Sequence, residues 1–108
     1  MMYVDFHAGN NDYKLRLSIR NTVALEKQLG CNPLTIFGNG DVMPTITIMV
    51  AILHASLQQY QHGISMIDAE NIFESWLADG NTITDFLPII IDIYKVSGII
   101  KQDEEKNA

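Results

Sequence analysis

The chain has 108 residues, 47% hydrophobic and 19% charged, with 13 Asp and Glu against 7 Lys and Arg for a formal charge of −6. That length forms one compact domain able to bury about two-thirds of its surface without disulfides or metal, which excludes a disordered body; the single Cys31 excludes an internal disulfide. The acidic balance repels phosphate backbones and anionic lipid, so nucleic acid and membrane surfaces are set aside as partners.

The N-terminal segment predicts a β-hairpin over about residues 2–17. Tyr3-Val4-Asp5-Phe6 and Tyr13-Lys14-Leu15-Arg16-Leu17 both alternate, and Gly9-Asn10-Asn11-Asp12 between them tolerates tight turns. An isolated hairpin is marginal in water, so it must rest on the rest of the chain or pair with another chain along its edge. Ser18 then caps a helix over residues 19–29, and Gly30 suits its left-handed stop. Asn32-Pro33 opens a short helical turn through Phe37, halted by Gly38-Asn39-Gly40, with the stretch to Asp41 the most flexible interior segment.

Thr45-Ile46-Thr47-Ile48-Met49-Val50 has the β-branched alternation of a strand. Yet Ile46, Met49, Val50, Leu53, Leu57 and Tyr60 recur at helical spacing, so the choice here is a helix over about residues 44–61. Ser65 and Asp68 have capping-box spacing and open a third helix through Ile67, Ile72, Phe73, Trp76 and Leu77, stopped by Gly80. Thr82 or Thr84 caps a last helix over about residues 85–97, ended by Gly98, with Pro88 forcing a late start or a kink. The fold class is therefore mainly α: a bundle of about four helices plus a short helical turn, with an N-terminal β-hairpin. One domain is expected over 1–100, and residues 101–108 read as a disordered polar tail.

No targeting segment is expected, because Asp5 and His7 interrupt the apolar start. The most apolar run, Phe86 to Ile91, is bounded by Asp85 and Asp92 and broken by Pro88, far short of the ~20 residues that cross a bilayer.

No reactive constellation is legible. His7, His54 and His62 lack partners at metal-ligand intervals, and Cys31 has only Lys27 nearby to activate it. Gly38-Asn39-Gly40 lacks the third glycine of a dinucleotide fingerprint, and residues 79–85 lack the alternating oxygens and terminal Glu of a calcium loop. Glu70 and Glu74 read as a solvated helix face. A helix-turn-helix reader fails too, since the last helix would offer base edges two acids and Lys95 without Arg, Asn or Gln. The expectation is a protein that is not an enzyme and needs no cofactor.

The positive feature is apolar excess on that last helix. Phe86, Leu87, Ile89, Ile90, Ile91, Ile93, Tyr94 and Val96 nearly encircle it, and Ile99 and Ile100 extend the patch past Gly98. Two explanations stay open: a helix wrapped by its neighbours, or a docking face for another copy or another protein. The second names Phe86, Ile90, Tyr94, Ile99 and Ile100 as partner-binding residues, supported by Phe37, Met43, Ile64 and Met66 in or beside loops. On that reading Ile90→Asp unfolds the domain, whereas Ile99→Asp leaves melting nearly unchanged and weakens binding.

In order along the chain, Tyr13-Lys14-Leu15-Arg16-Leu17, Leu25-Glu26, Leu29-Gly30, Asn32-Pro33-Leu34 and Phe37 resemble the tail assembly chaperones of long, flexible-tailed phages of Gram-positive bacteria. Leu53-His54-Ala55-Ser56-Leu57, His62-Gly63-Ile64, Thr84-Asp85-Phe86-Leu87-Pro88 and Tyr94-Lys95-Val96-Ser97-Gly98 continue the likeness, which spans residues 3 to 100. The resemblance implies a small, mainly helical, non-enzymatic protein that binds the tape measure protein before the tail tube polymerises. It further implies action in the host cytoplasm, absence from the mature virion, several copies on one client, and in some members a longer frameshifted form. No catalytic residues carry over, and the likeness fixes no client contacts. Self-association is a second partner class, and a structural tail component or a generic helical adaptor are the alternative readings.

Overall fold

The computed structural model describes residues 2–37 and 43–101, apart from the side chains of Ile36 and Phe37. The stop expected at Gly38-Asn39-Gly40 and the polar tail beyond Lys101 lie outside the described residues. Strands β1 (Val4–Ala8) and β2 (Asn11–Leu15) form an antiparallel hairpin, with Phe6 opposite Tyr13 and Ala8 opposite Asn11. Four helices follow: α1 (Ile19–Leu29), α2 (Ile46–Leu57), α3 (Met66–Ala78) and α4 (Phe86–Val96). Short 3₁₀ turns at Pro33–Phe37 and Ile83–Asp85 complete the order.

Local chemistry accounts for these boundaries. The loop of the hairpin is the two residues Gly9-Asn10, and Gly9 alone takes a positive φ of 61°, as the first position of a type II′ turn demands. Its N–H donates to Asp79 Oδ2 at 2.8 Å, which ties the hairpin tip to the C-terminal end of α3. Ser18 Oγ accepts from the Asn21 amide at 3.0 Å, and Gly30 closes α1 in the left-handed conformation at φ 72°. Thr45 caps α2 through the Ile48 amide, so Pro44 precedes the cap and the helix begins two residues later than expected. The β-branched run before Met49 is itself exposed or half-buried; it is helical because Thr45 caps it and it leads directly into the buried residues Met49 to Leu53.

The capping box of α3 is complete: Asp68 N–H donates to Ser65 Oγ at 3.0 Å, and Ser65 N–H donates to Asp68 Oδ2 at 3.1 Å. At the start of the second 3₁₀ turn Asp85 Oδ2 accepts from the Thr82 N–H at 2.8 Å, and α4 grows directly from that turn. Pro88 is the third residue of α4, in the first turn, where the missing N–H would have no intrahelical partner. The late start expected there is therefore unnecessary.

The core gathers on α2, of whose twelve residues eight are buried, and α2 meets α1, α3, α4 and β2. Phe6 of β1, Phe73 and Trp76 of α3, and Phe86 of α4 form one aromatic cluster with ring centroids 5.1 to 6.2 Å apart. The hairpin is thus a wall of this core, and the outer edge of β2 is occupied. Arg16 N–H donates to the Ser56 carbonyl at 2.9 Å. The Gln61 side chain pairs with Lys14 like a strand, accepting from its N–H at 2.8 Å and donating to its carbonyl at 2.9 Å. An edge so covered offers no template to another chain.

Candidate functional site

The side chains named from sequence as the partner face do not form a surface. Phe86 and Ile90 are fully buried and Tyr94 is 1% exposed, all within the single hydrophobic core. Tyr94 Oη donates to the Pro33 carbonyl at 3.1 Å, and burial pushes its hydroxyl pKa well up, with the nearby Cys31 adding to the shift. A phenol so enclosed is an internal strut holding the 3₁₀ turn after α1 against α4.

Ile99 and Ile100 are half-buried and packed on the core. Their position follows from how α4 ends. Ile99 N–H donates to the Tyr94 carbonyl at 2.9 Å and Gly98 N–H to the Lys95 carbonyl at 3.1 Å, with Gly98 at φ 78°. That is a Schellman stop, which places an apolar residue just past its glycine against the last turn of the helix. Arg16 Nη1 completes this end by donating to the Val96 carbonyl at 2.6 Å and to the Met2 carbonyl at 2.9 Å. The Ser97 hydroxyl accepts from Leu17 N–H at 2.8 Å. Five side chains of α4 are therefore interior, while Leu87, Ile89, Ile91, Ile99 and Ile100 are half-buried at its margin.

Apolar surface is left over elsewhere. Ile46 is 55% exposed at the first position of α2, and Ile67 is 68% exposed in the first turn of α3. Beside them an open groove of about 400 Å³ runs between α2 and α3. Its α3 wall is the stripe Met66, Glu70, Phe73, Glu74 and Leu77, and its α2 wall is Ile46, Thr47 and Val50. Ile83 and Gln28 complete the lining. From residue 66 to residue 77 the α3 wall measures about 16 Å, three turns at 1.5 Å per residue.

Six of the ten lining side chains are hydrocarbon, aromatic or thioether, and the charged ones are Glu70 and Glu74, one turn apart. Neither carboxylate has an ion-pair or hydrogen-bond partner among the described residues. Three turns of apolar floor with two unpaired carboxylates suit the side of a helix better than a small metabolite. Of the loop-associated apolar residues singled out in the sequence, Met66 lines this groove, Met43 is exposed away from its lining, and Ile64 packs on the core.

The sequence reading missed the groove because Glu70 and Glu74 look like a solvated face. The available signal was Ile67, an isoleucine three residues from Glu70 and seven from Glu74, hence on their side of α3. Elsewhere the described residues hold no cluster of three or more His, Cys, Asp or Glu placed to share a metal ion. None of the described helices is long and apolar enough to cross a membrane. Cys31 is exposed with a free thiol. No protein-family model matches the chain, and neither a curated protein nor a solved structure does.

Proposed function

We propose that this chain is a tail assembly chaperone of a long-tailed phage, acting by binding rather than by catalysis. On this reading it holds the apolar, helical tape measure protein in the host cytoplasm until the tail tube polymerises around it, and is absent from the finished virion. One observation carries the proposal: an open groove between α2 and α3, lined mostly by apolar side chains and flanked by the exposed Ile46 and Ile67, offers contact to the side of a helix. The ordered resemblance along residues 3 to 100 supplies the identity of the client. The net charge of −6 suits a holdase, since copies on one client repel each other and stay dispersed.

The test is co-expression with a tape measure protein, which this reading places in a neighbouring reading frame. Recovery of that protein in the supernatant, bound to tagged chaperone, is the expected result. An insoluble tape measure protein with no captured fragment overturns the reading. Abundant copies of this chain in purified virions would instead assign it to the tail structure.

A further inference from the structure

We infer that the α2–α3 groove recognises a cationic amphipathic helix, its apolar side on Met66, Phe73, Leu77, Ile46 and Val50 and its lysines or arginines on Glu70 and Glu74. This deepens the chaperone reading by naming the client segment's chemistry, and it rests on that reading for its biological setting.

Shape is the first argument. The floor follows one face of α3 for three turns, and a second helix laid along two others presents side chains at intervals of three and four residues to such a floor. Charge is the second. Glu70 and Glu74 are the charged groups of the lining, they stand about 6 Å apart along the axis, and no cation among the described residues answers either. A helix with two cations one turn apart, flanking its apolar stripe, pairs with both carboxylates in a single register. Glutamates at those two positions in the ligand would face like charge across the rim.

Net charge separates this occupant from a second copy. The face of α1 opposite Leu25 carries the exposed Ile19 and Val23 beside Arg20 and Lys27, and could in principle enter a neighbour's groove. Two copies at −6 each repel on approach, however, whereas a basic segment is drawn in.

The probe is a fluorescein-labelled synthetic helix of roughly 18 residues, long enough to hold helical structure when docked. It carries a leucine stripe on one face and two lysines four residues apart beside it. A twin replaces both lysines with glutamate. By anisotropy, the cationic peptide should bind the full chain, and its twin should bind at least about tenfold more weakly at low salt. Glu70→Gln with Glu74→Gln should weaken the cationic peptide by about fivefold to thirtyfold and remove most of the salt dependence. Ile46→Ser should weaken both peptides, marking the floor as the binding surface. Both variants change exposed side chains, and their melting curves should overlay that of the parent.

Equal affinity for the two peptides overturns the charge argument, and undiminished binding by Ile46→Ser overturns the site. Concentration-dependent assembly of the chain that Glu70→Gln with Glu74→Gln abolishes, with no peptide bound, assigns the groove to a second copy and also overturns the proposal. If the peptide binds while the tape measure protein stays insoluble, the chaperone reading falls and the groove's specificity stands. If that protein is held soluble equally well by the groove variants, the reverse is true.

Discussion

Helix α4 and the outer side of α3 put their hydrocarbon to opposite uses. Along α4, Phe86, Ile90, Ile93, Tyr94 and Val96 are buried, and the isoleucines beyond its end fold back on the core. Along α3, Ala69, Ile72, Phe73 and Trp76 are buried on one side, while Met66 and Leu77 line an open groove and Ile67 stands in water. The difference lies in neighbours. The hairpin, α2 and the second 3₁₀ turn all pack on α4, whereas α3 packs on α2 and β1 and borders an open groove along its outer stripe. Apolar density along a helix therefore measures how much surface needs covering, and the arrangement of neighbours decides how much stays bare.

Charges placed in the two regions should separate them most sharply. Ile90→Asp puts a carboxylate at a fully buried position without a partner, which costs about 4 kcal/mol or more. Against a typical total of about 5–15 kcal/mol, that unfolds the domain or leaves it without fixed packing. Circular dichroism should show loss of the cooperative melt, and a normal melt would mean that α4 can turn its face outward after all.

A milder test concerns the end of α4. Ile99→Asp should destabilise by about 1–2 kcal/mol, because it removes the apolar contact that accompanies the Schellman stop. This replaces the sequence-based expectation of an unchanged melt, which treated Ile99 as bare surface. Tyr94→Phe belongs with it. Deleting the hydroxyl leaves the buried Pro33 carbonyl without its 3.1 Å donor, for a loss of about 1–2 kcal/mol in urea unfolding. No loss in either variant would show that the turn after α1 and the last turn of α4 are held by packing alone.

How much of this was legible in the sequence depends on the range of the interactions involved. Ser18, Gly30, Ser65 with Asp68, and Gly98 act within a few residues, so α1, α3 and α4 could be read from them, as the hairpin could from Gly9 and its alternating flanks. The end of α2 could not. Tyr60 extends the apolar periodicity, but the helix stops at Leu57, and Gln61 turns away to pair with the backbone of Lys14, 47 positions earlier. The same reason hides from the sequence that Phe86, Ile90 and Tyr94 are interior. Whether Ile90 or Ile46 meets water is decided by elements distant in sequence, although both are isoleucines on helices. Glu70 and Glu74 show the converse, since an i,i+4 pair of acids has one appearance in sequence whether it borders solvent or the rim of an apolar groove.

Ser65→Ala probes α3 itself with a smaller expected loss. It removes one half of the capping box and should cost about 1 kcal/mol in thermal or urea unfolding. Because Met66 and Ile67 sit in the turn that fraying would loosen, peptide affinity should fall slightly as well. A stability loss without any change in affinity would place the binding surface nearer to Leu77 and Ile83 than to the start of α3.

The smallest expected change in stability is the most informative about the groove. Ile46 is the first residue of α2 and more than half exposed, so Ile46→Ser gives up little burial. The helix keeps its cap, because Thr45 still accepts from the Ile48 amide, and serine is tolerated in a first helical turn. The melt should stay within about 0.5 kcal/mol of the parent, the range of ordinary surface substitutions. Binding should nonetheless fall, since the isoleucine is one of the few hydrocarbon groups on the α2 wall. A residue that matters to a ligand and not to the fold is what separates this stripe from α4, where Ile90 has the reverse character. Should Ile46→Ser melt several degrees lower, the side chain would be a structural part of the α2–α3 contact, and the distinction between the two regions would be one of degree.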